Sequence, residues 1–352
     1  MGKSAPHPIT IALVIEAVIL LLVASVVHAV PILSDHKKKP VTTQSASLAK
    51  KHVTILGRYN DLSAAKKKAR RSASPHRPLP AISARSVMII DAVSGRTIYA
   101  KAPDSRRQPA STIKVLTGIL AIDLLKNNQR IGISTRAARQ PRSKIYLDTN
   151  KTYRADDLIN AVLLASANDA SVALAEKISG SEASFARLMT ERARRWGARN
   201  TVCRTASGLT ARGQKTTARD LAIIFRKAMA DGEFASRMKQ TTTRTADGKT
   251  LRNHNKALWQ VAGTLAGKTG YTHAARQTYV GKFKRGNDEI IVALLGSETM
   301  WSDLKKLVTY GFTKKQQLRV AENHTPPTII QAARHSTTHG PGKTRRHSTI
   351  AL

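Results

Sequence analysis

An α+β domain is the fold this 352-residue sequence predicts, with an antiparallel sheet built from both chain ends, flanked by helices, and a helical region inserted between. Three observations predict it. Two apolar, β-rich runs surround a Ser-Gly turn in "SVMIIDAVSGRTIYAK", a hairpin signal. A long stretch of helical patterns follows. Two more strand patterns, "QTYVGKF" and "EIIVALLGS", then meet at the turn "RGND" ahead of a last helix, "WSDLKKLVTYGF".

The helices have distinct characters. "STIKVLTGILAIDLLKNN" is apolar nearly all round, as a helix buried inside a domain must be. "ADDLINAVLLASANDASVALAEKISG" reads as two helices meeting near Ser166-Ala167-Asn168. "EASFARLMTERARRWGA" and "TARDLAIIFRKAMADG" are amphipathic.

Composition narrows the function classes. With 41% hydrophobic residues the chain can bury a real core, and its formal charge of +37 favours anionic partners. Aromatics at 4% leave few stacking platforms, and no zinc-finger or RNA-binding signature is present, so no nucleic-acid partner is expected. The single cysteine, Cys203, excludes an internal disulfide framework and any multi-cysteine metal site; it reads as a small buried residue.

Four regions follow from these patterns. Residues 1–33 hold an apolar run from Ile9 to Val30, long enough to cross a bilayer and carrying the small-residue pattern Val27-His28-Ala29 at its end, so a signal or membrane anchor is expected. Lys37, Lys38 and Lys39 just beyond it oppose translocation. Residues 34–80 read as a basic, solvated linker and residues 318–352 as a basic, histidine-containing tail rather than a metal site. The domain is expected over 81–317.

Chemistry first shows in "PASTIKVLTG". Ser111 and Lys114 are three apart, on one helix face. Six Ser-x-x-Lys strings occur, at Ser34, Ser47, Ser63, Ser111, Ser236 and Ser302, so spacing alone selects none. Ser111 differs by standing at the start of a buried helix, where amide dipoles favour negative charge. There a desolvated lysine can lose its proton and become a base. Ser166-Ala167-Asn168 and Lys268-Thr269-Gly270 follow in order, each the sole occurrence of its pattern. They supply a proton-relaying hydroxyl, an orienting amide, and a cation with a hydroxyl for a carboxylate. Gly270 lets a substrate backbone approach the strand.

These three motifs in this order resemble the signature of penicillin-binding proteins and serine β-lactamases. "DAVSGRTIYAK", "PASTIKVLTG", "SANDASVALAE", "ASGLT", "TTARDLA", "NHNKAL" and "AGKTGYT" look most like the low-molecular-mass D-alanyl-D-alanine carboxypeptidases, over roughly residues 84–313. The resemblance implies a β-lactamase-like fold and a serine carboxypeptidase of the cell envelope, facing outward. It implies no cofactor and no metal, peptidoglycan as substrate and β-lactams as covalent inhibitors.

Carried over, Ser111 would be the acylated nucleophile, Lys114 its base, and Ser166 the proton relay to the leaving D-alanine. Asn168 would position the substrate amide. Lys268 and Thr269 would hold the terminal carboxylate, and the Ser111 and Tyr271 N–H groups would form the oxyanion hole. A cross-link-cutting endopeptidase with the same site is the alternative, and a wall-binding pseudoenzyme a further one; no Glu-x-x-Leu-Asn string suggests a β-lactamase. Two positions depart from the family's pattern: Arg276 stands where glycine is usual, and His273 where an acid or amide is usual. Arg276 is expected at the site's rim, pairing with a substrate carboxylate. The family's frequent C-terminal β-rich domain is not expected, and the N-terminal segment would serve as anchor.

Overall fold

A computed structural model describes residues 79–324. The expected N-terminal segment and nearly all of the linker lie outside the described residues, as does the tail beyond 324. Among the described residues no helix is long and apolar enough to cross a membrane, and no group of three metal-ligating side chains occurs. These same residues hold 42 of the 59 Lys+Arg and 19 of the 22 Asp+Glu, so most of the positive excess belongs to the folded domain.

The hairpin forms as expected, from β1 (Ser86–Asp91) and β2 (Thr97–Lys101). Strands β7 (Thr264–Thr272), β8 (Arg276–Arg285) and β9 (Asp288–Ser297) come from the other end of the domain. They join the hairpin in an antiparallel sheet of order β2-β1-β9-β8-β7. The central pair explains its sequence. Side chains alternate between faces along a strand, and here both faces are covered. Met88, Ile90, Ile291, Ala293 and Leu295 enter the core under the helical region. Val87, Ile89, Ile290, Val292 and Leu294 enter a second core under the C-terminal helix. Each fully buried aliphatic side chain stabilises the fold by roughly 1.5–3 kcal/mol, so this pair is its spine.

Between the strand sets lie α1 (Lys114–Leu124), α2 (Thr135–Ala138), α3 (Ala155–Leu163), α4 (Asn168–Ser179), α5 (Glu182–Arg195), α6 (Ala218–Ala228), α7 (Gly232–Lys239) and α8 (Ala257–Gln260). Two short ribbons accompany them, β3 (Arg130–Gly132) with β4 (Thr152–Arg154) and β5 (Thr242–Arg244) with β6 (Thr250–Arg252). Ser181, Thr217 and Asp231 cap α5, α6 and α7 by accepting from the backbone N–H of Ser184, Asp220 and Phe234. Such caps contribute about 1 kcal/mol each. Helix α1 packs against α3, α4, α5 and α6, which is why its apolar residues run all round.

The last helix, α9, runs from Met300 to His324, seven residues past the boundary expected at 317. Ion pairs hold its final turns to the sheet: Lys315 to Asp91 at 2.7 Å, Arg319 to Asp288 at 3.3 Å and Glu322 to Arg96 at 2.5 Å. Those partners are all more than 30 residues away, and local periodicity does not register them.

Candidate active site

Ser111 sits in a 3-10 turn, Ala110–Ile113, that leads directly into α1. Two hydroxyls fix the turn by donating to the Pro109 carbonyl, Thr112 Oγ1 at 2.6 Å and Thr278 Oγ1 at 3.0 Å. Ala110 takes a left-handed φ of +49°, a strained value for a residue with a Cβ. Gly208 makes that turn possible: a Cβ there would stand 2.0 Å from the Ala110 carbonyl oxygen.

Lys114 opens α1 and is fully buried. Its Nζ lies 3.0 Å from Ser111 Oγ, 2.7 Å from Asn168 Oδ1 and 2.6 Å from the Ser207 carbonyl oxygen. Two of these neighbours can only accept. A neutral amine has two N–H groups and one lone pair, so donating to Asn168 and Ser207 leaves the lone pair for the Ser111 hydroxyl. Burial drives Lys114 well below its ordinary range, the Lys268 charge adds to the shift, and the Asp169 and Glu182 carboxylates oppose it. Both geometry and electrostatics suit Lys114 to accept a proton from Ser111.

The second motif occupies the α3–α4 junction. Ser166, 5% exposed, has a φ of +58°, and Asn168 is the first residue of α4. Lys268, buried in β7, donates to Ser166 Oγ at 2.8 Å and to the Thr269 carbonyl at 3.0 Å. Burial lowers it to about 7. Gly270 lets the strand press against the serine turn. A Cβ on it would meet the Ser111 amide nitrogen at 2.8 Å and that of Thr112 at 3.0 Å, and backbone cannot give way.

A cavity of about 470 Å³ opens between these elements. Ser111, Ser166, Asn168, Thr269, Gly270 and Tyr271 line it, while Lys114 and Lys268 stand behind the wall. All eight residues picked from the sequence are thus gathered at one centre.

Three contributors were not picked. The Ser207 carbonyl carries no sequence signal, because any residue offers one. His254 lies within the quoted run "NHNKAL" and lines the cavity; burial, then the charges of Lys268 and Lys114, lower it to about 4, so it is a neutral imidazole. Arg142 also lines the cavity, from an irregular loop.

Arg276 corrects an expectation. Its guanidinium is occupied by Glu298 at 2.5 Å, and it does not line the cavity. Its φ of +56° explains why glycine suits this position. His273 packs edge-on against Tyr271, 5.9 Å between centroids. The rival serines separate as well: Ser236 and Ser302 are exposed with their lysines, and Cys203 is buried with its thiol pushed up to about 12, so it is no nucleophile.

Known proteins resemble this chain in sequence and fold. The profile of peptidase S11, D-alanyl-D-alanine carboxypeptidase, matches residues 71–299. The D-alanyl-D-alanine carboxypeptidase DacB2 of Mycobacterium tuberculosis is 32% identical over 69% of this chain and 87% of its own length. DacF of Bacillus subtilis, a D-alanyl-D-alanine carboxypeptidase, is 31% identical over 66% of this chain, and the match spans only 62% of DacF. The crystal structure of penicillin-binding protein D2 from Listeria monocytogenes in its ampicillin-bound form superposes with a TM-score of 0.61. It is 26% identical and covers 67% of this chain and all of that one.

Proposed function

The chain belongs to the D-alanyl-D-alanine carboxypeptidase family of serine peptidases, and on that premise we propose that it removes the terminal D-alanine from peptidoglycan stem peptides through an acyl-enzyme on Ser111. The observation that carries the reading is the buried Lys114 amine, 3.0 Å from Ser111 Oγ with its other two positions met by acceptors.

In this reading the neutral Lys114 takes the Ser111 proton as Oγ attacks the carbonyl carbon of the penultimate D-alanine. The peptide nitrogen then leaves with a proton delivered through Ser166, whose hydroxyl is held by Lys268. The Ser111 and Tyr271 amides stabilise the oxyanion; losing one such donor costs about 10²–10³ in rate. Lys268 and Thr269 receive the terminal carboxylate. Asn168 orients the substrate amide, a task consistent with its anchorage to Lys114 and to the Pro141 carbonyl at 2.9 Å. Water enters on the same base to release the product. β-Lactams would acylate Ser111 by the same route. The four motif residues converge with intact hydrogen bonds, which supports an enzyme over a pseudoenzyme. We further propose that the folded domain acts outside the cytoplasmic membrane, delivered and tethered by the N-terminal segment.

A membrane-impermeant fluorescent penicillin, applied to intact spheroplasts, tests both parts. The wild-type chain is expected to take up label and Ser111→Ala to take up none. Label retained by the variant would reject Ser111; label gained only after lysis would reject the outward location.

A further inference from the structure

One wall of the active-site cavity is made by Arg142 and Ser143, in the loop between α2 and β4. That loop has no regular structure, yet it is tightly tied. The Asn168 backbone N–H donates to the Ser143 carbonyl at 2.7 Å, and Asn168 Nδ2 donates to the Pro141 carbonyl. The buried Asp169 carboxylate accepts from the Ile145 and Leu147 amides at 3.1 and 3.2 Å, and Lys249 donates to the Ile145 carbonyl. Two consecutive residues of the catalytic helix terminus therefore carry both the Lys114 amide contact and the loop that presents Arg142.

The guanidinium itself is held but not neutralised. Arg142 Nε and Nη2 donate to the Tyr146 hydroxyl at 3.1 and 2.9 Å. Among the described residues no carboxylate pairs with it. The neighbouring cation, Lys144, is already engaged by the Ala138 carbonyl at 3.0 Å. An arginine has five N–H groups in a rigid fork, so donors remain for a planar anion. Lys268 and Thr269 approach the cavity from the sheet, whereas Arg142 approaches from the helical side with Asn168. A substrate whose terminal carboxylate occupies the first pair leaves Arg142 facing a different part of the same molecule.

Building on the carboxypeptidase reading, we propose that Arg142 is a specificity-determining residue that binds a second carboxylate, on the acyl-donor part of an acidic peptide upstream of the cleaved bond. The site then selects peptides that are acidic at two places, the C-terminus and an upstream side chain. Arg142 takes no part in bond making; it adds binding that is present before and during the chemistry, and its signature is a change in KM rather than in kcat.

The test uses the full chain and two peptides ending in D-alanyl-D-alanine that differ only upstream, one bearing glutamate and the other glutamine. The wild type is expected to favour the acidic peptide about fivefold in kcat/KM, the scale of one exposed charged pair, with the difference in KM and eroded by salt. Arg142→Gln, which keeps a polar side chain beside Tyr146 without the charge, is expected to bring the ratio to about one, and Arg142→Lys to leave about twofold. An unchanged ratio in Arg142→Gln would overturn the proposal. So would an equal loss on both peptides, which would assign Arg142 to the terminal carboxylate or to the shape of the wall. Penicillin acylation of each protein is measured in parallel. A wild type that penicillin does not acylate would overturn the carboxypeptidase reading itself, whereas acylation without charge preference would overturn this inference alone.

Discussion

Ser111-Thr112-Ile113-Lys114 and Ser302-Asp303-Leu304-Lys305 share one spacing, and both stand at the start of a helix. In the first, the lysine is fully buried and the serine lies within hydrogen-bond reach of it. In the second, serine and lysine are exposed, and the buried polar member is Asp303. That carboxylate accepts from the Ala84 amide at 2.8 Å and from the Ser83 and Ser297 hydroxyls at 2.7 Å, stapling the start of the domain to α9. One spacing therefore gives a buried, hydrogen-bonded serine–lysine pair, the proposed catalytic pair, in one place and surrounds a structural staple in the other. Burial of the lysine makes the difference, because desolvation is the largest cause lowering its pKa, with the Lys268 charge adding to it.

The comparison can be broken most decisively at the two lysines. Lys114→Met keeps the volume and deletes the base, so β-lactam acylation is expected to fall by about 10³-fold or more, with folding retained by circular dichroism. Lys305→Met is expected to leave acylation unchanged and to shift stability by no more than about 0.5 kcal/mol. Equal loss in both variants would mean that burial is not what activates the pair.

pH dependence sharpens the point. Lys114 must be neutral to act, so kcat/KM rises with pH as it loses its proton. Lys268 must be charged to hold a carboxylate, and it loses its proton near pH 7 in the free protein. A bell-shaped profile with its alkaline limb starting close to neutrality is expected, where an exposed lysine would hold out to about 10.4. Stability moves as well. A lysine whose folded pKa is lowered binds fewer protons folded than unfolded, so stability rises with pH from about 7 towards the unfolded value. Melting curves at pH 7 and 9 should show a higher Tm at pH 9. A flat profile would show the lysines to be solvated.

The smallest effect is expected at Arg276→Gly. Glycine relaxes the φ of +56°, while the exposed pair with Glu298 is lost. These oppose each other, so Tm should hardly move. KM should not move either, because the guanidinium is already occupied by Glu298. A raised KM would return Arg276 to the substrate.

Much of the site could be read directly. Ser111, Ser166, Asn168 and Lys268 lie within short motifs, where a helical turn or a strand brings the right groups together. Arg142, His254 and the Ser207 carbonyl could not be read that way. Arg142 and His254 reach the cavity, and the Ser207 carbonyl reaches Lys114, from loops 31, 143 and 96 residues along the chain from Ser111, and no local period marks them. Arg276 shows the converse error. A departure from a family pattern was visible, but its partner Glu298 lies on the next strand end, 22 residues on.

By itself the sequence determined the order of elements, the apolar character of β1 and β9, and the candidates for nucleophile and base, Ser111 and Lys114. Those properties follow from side-chain period and from groups no more than a turn apart, and such local relations survive in any fold that accommodates them. Only the tertiary structure decided that Lys114 is buried and held well below its ordinary range, that Gly270 must pass against the Ser111 amide, and that, among the described residues, Arg142 has no carboxylate partner while Arg276 has Glu298. Each of these depends on what atoms distant in sequence exclude water or fill a hydrogen-bonding position, and solvent exclusion exists only once the chain has closed around the site.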